Sequence, residues 1–259
     1  MNVNINIFNL AGRTCRVYSS AGDGSSAGCL IVQAVDKEWI ERERVVEETP
    51  AAHVQAVDKE WIERATSPLD IEAENIIRGF GGEVIFANFG VERWNDELSP
   101  WRADAVYKNQ PFSGEAQGTL EFVTGTFIPK LKAVYGLASD IKIVIGGYSL
   151  AGLFSLWAAY RTDIFHAVAA VSPSVWFPGW TEFAAKNCIH AGRVYLSLGD
   201  REEKTGNRVM AMVGENIRLQ KDILDGQAIA NVLEWNEGNH FKDVEKRVAS
   251  GFLWTLLND

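Results

Sequence analysis

The stretch Lys142-Ile143-Val144-Ile145-Gly146-Gly147-Tyr148-Ser149-Leu150-Ala151-Gly152-Leu153-Phe154 decides how this chain is read. It begins as a β-branched run ending in glycine, the pattern of a buried strand. Leu150, Leu153, Phe154 and Trp157 then fall on one helical face. Between strand and helix stands a serine with Gly147 before it and Ala151 after it. A strained strand-to-helix turn needs small neighbours on both sides, because the two backbones must approach closely. The 18 residues from Ile143 to Tyr160 carry no charge, the lower limit for a bilayer span, but three glycines and two serines interrupt them. A buried strand, a sharp turn and a buried helix account for them better.

Such a turn sets Ser149 at a helix N-terminus, where the dipole and the free amide of Leu150 can stabilise an oxyanion. A serine hydroxyl is a poor nucleophile until a base takes its proton, so a histidine is required. Of the four, His53 lies in a repeated charged segment, and His166 and His190 each precede a strand. In the chain order serine, acid, histidine the base follows the last strand, which selects His240 in Glu237-Gly238-Asn239-His240-Phe241. The acid belongs just past the strand Val194–Leu198, in Gly199-Asp200-Arg201-Glu202-Glu203-Lys204. Glu202 is the first choice, Asp200 the second and Glu203 the third, because loop geometry and not residue type decides among them. A second oxyanion donor is expected from the backbone near Trp94 or Asn95, after the strand Val84–Phe89.

Outward from the serine turn the pattern alternates. Val84–Phe89, Val168–Val171, Val194–Leu198 and Val232–Trp235 read as strands, and Leu120–Tyr135 as mostly helix. Val209, Val213 and Ile217 form a helical stripe closed by Gly226, and Val244, Val248, Phe252 and Leu256 stripe a terminal helix. This alternation predicts the α/β class, a mostly parallel central sheet with helices on both faces. Nearer the N-terminus, Val3, Ile5 and Ile7 alternate with asparagines as a strand with one buried face. Strands at Cys15–Ser19 and Cys29–Val35 follow, around a Gly- and Ser-rich loop at 21–27. Val32–Arg42 then recurs letter for letter as Val54–Arg64, an offset of 22 residues. Two copies are too few for a repeat architecture. The expectation is one domain over 1–259 carrying a charged duplicated insert at about 32–66, with no role in chemistry.

With 259 residues, 47% of them hydrophobic, the chain can fill a large core, which excludes disorder and small disulfide scaffolds. A formal charge of −9 repels phosphate backbones and anionic lipid, and no basic patch offsets it, so neither nucleic acid nor membrane is an expected partner. Cys15, Cys29 and Cys188 include no CxxC pair. That argues against a disulfide framework or a zinc site, and for buried thiols in a reducing compartment. Met1–Leu10 carries neither the charge nor the apolar run of an export signal, so the expected location is cytoplasmic. No cofactor or metal is implied.

Four segments together resemble a known family: Tyr148-Ser149-Leu150-Ala151-Gly152-Leu153-Phe154, Ser172-Pro173-Ser174-Val175-Trp176-Phe177, Gly199-Asp200-Arg201-Glu202-Glu203-Lys204-Thr205 and Gly238-Asn239-His240-Phe241. They look like the esterase branch of the α/β-hydrolases, which includes enterobactin-type siderophore esterases, feruloyl esterases, S-formylglutathione hydrolases and mycolyl transferases. The resemblance runs from about Glu83 to the C-terminus, and the chain departs from the family in Ala151 and in the repeat. It implies an α/β-hydrolase fold and a serine hydrolase mechanism, with Ser149 as nucleophile, His240 as base and an acid after the penultimate strand. Trp94, Trp101, Trp176 and Trp180 all follow strands, at the edge where α/β-sheet enzymes bind ligands. Trp101 and Trp176 are therefore expected against an apolar or aromatic acyl group. The expected activity is hydrolysis of small or aromatic carboxylic esters through an acyl-enzyme. Acyl transfer by the same residues, or a non-catalytic binding module with the charged insert as its partner surface, are the alternatives.

Overall fold

The computed structural model describes residues 3–20, 26–41, 55–57, 67–106 and 109–258. Its strands are β1 (Val3–Leu10), β2 (Arg13–Ser19), β3 (Cys29–Asp36), β4 (Gln55–Val57), β5 (Val84–Val91), β6 (Arg102–Ala103), β7 (Phe112–Ser113), β8 (Lys142–Tyr148), β9 (Ala167–Val171), β10 (Arg193–Gly199) and β11 (Ala230–Asn236). One sheet runs in the order β11-β10-β9-β8-β3-β5-β2-β1-β4, and β6 pairs separately with β7. Pairing is parallel without a break from β5 through β3, β8, β9 and β10 to β11. Then β2, β1 and β4 extend one edge antiparallel.

Burial on both faces explains why β3 reads as an unbroken apolar run instead of an alternation. Leu30, Val32 and Ala34 enter a core shared with the helix Leu150–Arg161. Ile31 and Val35 enter a second core, beneath the helices Pro68–Phe80 and Val244–Leu257. The first of these two helices starts where the Ser67 side chain accepts from the Asp70 amide at 3.1 Å, and stops at Gly81, φ 69°. The uncharged stretch resolves into β8, the Ser149 turn and the helix Leu150–Arg161. No helix among the described residues is long and apolar enough to cross a membrane.

Several expectations need correction. Ile7 is 42% exposed, because β1 lies next to the sheet edge and no layer covers that position fully. The Leu120–Tyr135 helix is interrupted by a π-turn at Val123–Phe127, just before Pro129, whose missing N–H cannot continue the ladder. The Val209 stripe breaks at Met212 into the helices Arg208–Ala211 and Val213–Gly226, leaving Val209 exposed. Cys15 and Cys29 are buried and their thiols pushed up to about 12 by that burial, but Cys188 is exposed in the turn after the helix Trp180–Lys186.

Val32–Asp36, which open the first copy of the repeat, are part of β3, so the expected insert boundary at 32 falls inside a central strand. Gln33-Ala34-Val35 lies in the sheet centre, whereas the same tripeptide of the second copy, Gln55–Val57, pairs with β1 at the edge. Identical residues take both places because neighbours, more than intrinsic strand propensity, decide pairing. Residues 42–54 and 58–66 of the expected insert lie outside the described residues.

Candidate active site

Tyr148 closes β8 and Leu150 opens the next helix, so Ser149 alone reverses the chain, at φ 59° and ψ −121°. Holding a non-glycine residue there costs about 1–3 kcal/mol and persists only when the surroundings over-determine it. They do: the Ser149 amide donates to the Val171 carbonyl at 3.0 Å, and its own carbonyl accepts from the Ser174 and Leu153 amides at 3.0 and 3.1 Å. Gly147 makes the turn possible, since a Cβ there would stand 2.7 Å from the Ala151 Cβ. The same contact explains why alanine is tolerated at 151: the space it needs is left open by Gly147.

His240 Nε2 lies 3.1 Å from Ser149 Oγ, and Nδ1 lies 2.6 Å from Glu202 Oε2. With the proton on Nδ1 donated to Glu202, Nε2 is the acceptor that faces the hydroxyl. Glu202 is 8% exposed and begins a 3₁₀ turn, Glu202–Lys204, after β10. Its Oε1 accepts from Ser172 Oγ at 2.6 Å, the Gly199 amide at 2.7 Å and the Arg247 guanidinium at 3.0 Å. Burial pushes this carboxyl up, but the hydrogen bond and charge of His240, with Ser172 and Gly199, outweigh it and hold the pKa at about 2.

The three carboxylates of this loop separate by their partners. Asp200 accepts from the Gly238 amide at 2.8 Å, and Glu203 pairs with Arg218 at 3.0 Å on the surface. The acid and histidine loops are also joined by backbone bonds, Asp200 N to Asn236 O at 2.8 Å and Arg201 N to Gly238 O at 3.0 Å. Gly199 permits this approach, since a Cβ there would fall 2.5 Å from the Gly238 carbonyl.

Arg247, on the terminal helix and 4% exposed, is a residue the sequence reasoning missed. It donates to Asn236 Oδ1 at 2.8 Å, to the Tyr148 hydroxyl at 3.2 Å, and to Ser172 Oγ and Glu202 Oε1. The Tyr148 hydroxyl in turn donates to the His240 carbonyl. One guanidinium thus ties together the ends of β8, β9 and β11 and the acid loop. Its local signal is weak: Arg247 closes the charged run Glu245-Lys246-Arg247 and lies outside the stripe Val244, Val248, Phe252 and Leu256.

Two cavities open on Ser149 and His240. One, of about 270 Å³, is lined by the end of β3 (Gln33 to Asp36), Trp39, Trp94 and Val244. The other, of about 420 Å³, is lined by Trp176, Thr205, Met210 and Val213. Trp94 and Trp176 therefore line different cavities, each of which includes Ser149. Trp101 lines neither cavity; its indole donates to the Pro178 carbonyl at 2.9 Å and packs on Phe177 and Phe183, a structural role in place of the expected substrate contact. Trp180 is fully buried, with its indole donating to Gln220 at 2.9 Å.

The parallel sheet covered on both faces, with this turn where its central strands end, defines an α/β-hydrolase fold. Solved structures agree. A siderophore hydrolase, EstB, from Aspergillus nidulans superposes with a TM-score of 0.65 at 16% identity, covering 97% of this chain and 93% of that one. An IroE-like serine hydrolase from Shewanella oneidensis gives 0.65 at 16%, covering 93% and 75%. The enterobactin esterase FES from Shigella flexneri gives 0.62 at 15%, covering 98% of this chain but 58% of that one. No curated protein sequence matches the chain. The chain belongs to the esterase family whose model, described as "Putative esterase", matches residues 84–246. Membership supports ester hydrolysis as its activity.

Proposed function

We propose that the protein cleaves carboxylic esters of small molecules through an acyl-enzyme formed on Ser149. What supports this reading is the hydrogen-bonded chain from Glu202 through His240 to the Ser149 hydroxyl at the strained turn. Ser149 Oγ attacks the ester carbonyl as His240 Nε2 takes its proton, and Glu202 stabilises the resulting imidazolium. The imidazolium then protonates the departing alkoxide, leaving the acyl group on Ser149. Water enters by the same steps in reverse roles and releases the acid.

The Leu150 amide, first of its helix, serves the oxyanion. For the second donor the sheet order favours the amides at the end of β3, which pairs directly with β8, over those near Trp94, which follow β5 one strand further out. Trp94 contributes its side chain to a cavity wall instead. The names of the structural relatives put siderophore esters among the substrates to assay.

The test is p-nitrophenyl butyrate hydrolysis by the purified protein. Ser149→Ala should lower kcat by about 10⁴-fold or more while the circular dichroism spectrum is retained. A variant that kept the rate would remove Ser149 from the reaction.

A further inference from the structure

We propose that the cleft selects uncharged esters carrying a ring-sized apolar group on each side of the scissile bond, one lodged by Trp39 and Trp94, the other by Trp176, Met210 and Val213. The inference deepens the serine hydrolase reading and rests on it. Among the residues that line the two cavities, Ser149, His240 and Phe241 are the ones they share. An ester carbonyl attacked at Ser149 has its two substituents diverging from one carbon, and the two cavities meet at Ser149 and otherwise have different linings.

Their sizes fit this use. A dry apolar cavity of about 150 Å³ already admits benzene, and these measure about 270 and 420 Å³. Trp39 and Trp94 are half-buried, each packed against one of the two cores and lining the first cavity with the rest of its indole. Phe241 is 84% exposed and stands edge-on to the His240 ring at 5.3 Å between centroids, an apolar post between the lobes. Among the described residues neither lobe is lined by a Lys or Arg, while Asp36 borders the first and Glu202 the second, so a carboxylate on either half meets no countercharge from them. Trp39 also gives the first copy of the repeat a role at the site, as the wall of one lobe.

The experiment compares kcat/KM for ethyl acetate, ethyl 3-phenylpropanoate, 2-phenylethyl acetate and 2-phenylethyl 3-phenylpropanoate. Each ring should raise kcat/KM by about tenfold, the two gains should multiply, and a carboxylate placed on either ring should cancel its gain. Trp39→Ala should abolish the gain from one ring only and Met210→Ala the gain from the other. Turnover of ethyl acetate with a flat response to both rings, or Trp39→Ala and Met210→Ala lowering both gains alike, would overturn the two-lobe assignment and leave the serine hydrolase reading standing. Failure to turn over any of the four would overturn both.

Discussion

In the Gly199–Lys204 loop, Glu202 turns inward to His240 and Arg247 while its neighbour Glu203 pairs with Arg218 at the surface. The buried carboxylate is hydrogen-bonded to the imidazole, and the exposed pair is worth at most about 1 kcal/mol. Glu202→Gln should therefore lower kcat by about 10³–10⁴-fold, and Glu203→Gln should leave kcat within about twofold; steady-state kinetics on p-nitrophenyl butyrate check both. Ser149 and His240 could be picked out from the sequence because their signals are local: a serine between small residues, and a histidine beyond the last strand. The choice among three carboxylates is not local. It depends on Ser172 and Arg247, which lie 30 and 45 positions from Glu202, and on which way a short turn faces.

The helices that back the sheet carry two buried ionisable groups with opposite consequences. Arg247, on Val244–Leu257, pairs with Glu202 and bonds Asn236 and Tyr148, and among the described residues its hydrogen bonds reach neither Ser149 nor the His240 side chain. Arg247→Met should strip a buried carboxylate of its one guanidinium partner, costing up to about 3 kcal/mol of stability because His240, Ser172 and Gly199 remain, and lower kcat by ten- to a hundredfold with little change in KM. Arg247→Lys should recover part of both, as measured by melting and kinetics. Glu72, on Pro68–Phe80, is fully buried against Gln33, its Oε2 accepting from Nε2 at 3.1 Å. Burial pushes its carboxyl up to about 8, opposed by the Gln33 hydrogen bond and reinforced by the charge of Glu245. The unfolded chain releases this proton near the ordinary value of 4.5, whereas the folded protein keeps it to about 8. Stability therefore falls as pH rises between those two values. Glu72→Gln should raise Tm by several degrees at pH 8 and change it little at pH 4.5, and an equal shift at both would contradict the assignment. Helix positions follow from apolar periodicity. The π-turn before Pro129 and the break at Met212 do not, because both are set by hydrogen bonding and not by hydrophobic spacing.

Across the whole molecule, alternation of strands and helices is enough to imply a parallel sheet, but not its order. That β3 lies beside β8, and so borders the serine turn, depends on crossovers that leave no local mark. For the same reason the first copy of the repeat reads from sequence as an insert, although Val32–Asp36 are central and Trp39 borders a cavity. Deleting residues 43–64 leaves a single copy and, among the described residues, removes only the edge strand β4. The shortened protein should retain ester hydrolysis within about threefold with a modest loss in Tm, and its failure to fold would contradict the placement of the first copy in the sheet. The most direct test of the central claim is covalent: the full chain is treated with a fluorophosphonate probe and its peptides are mapped by mass spectrometry. Labelling of Ser149 in the folded protein, abolished by heat denaturation and by Ser149→Ala, is the predicted result. A folded protein that hydrolyses esters while Ser149 remains unlabelled would contradict it.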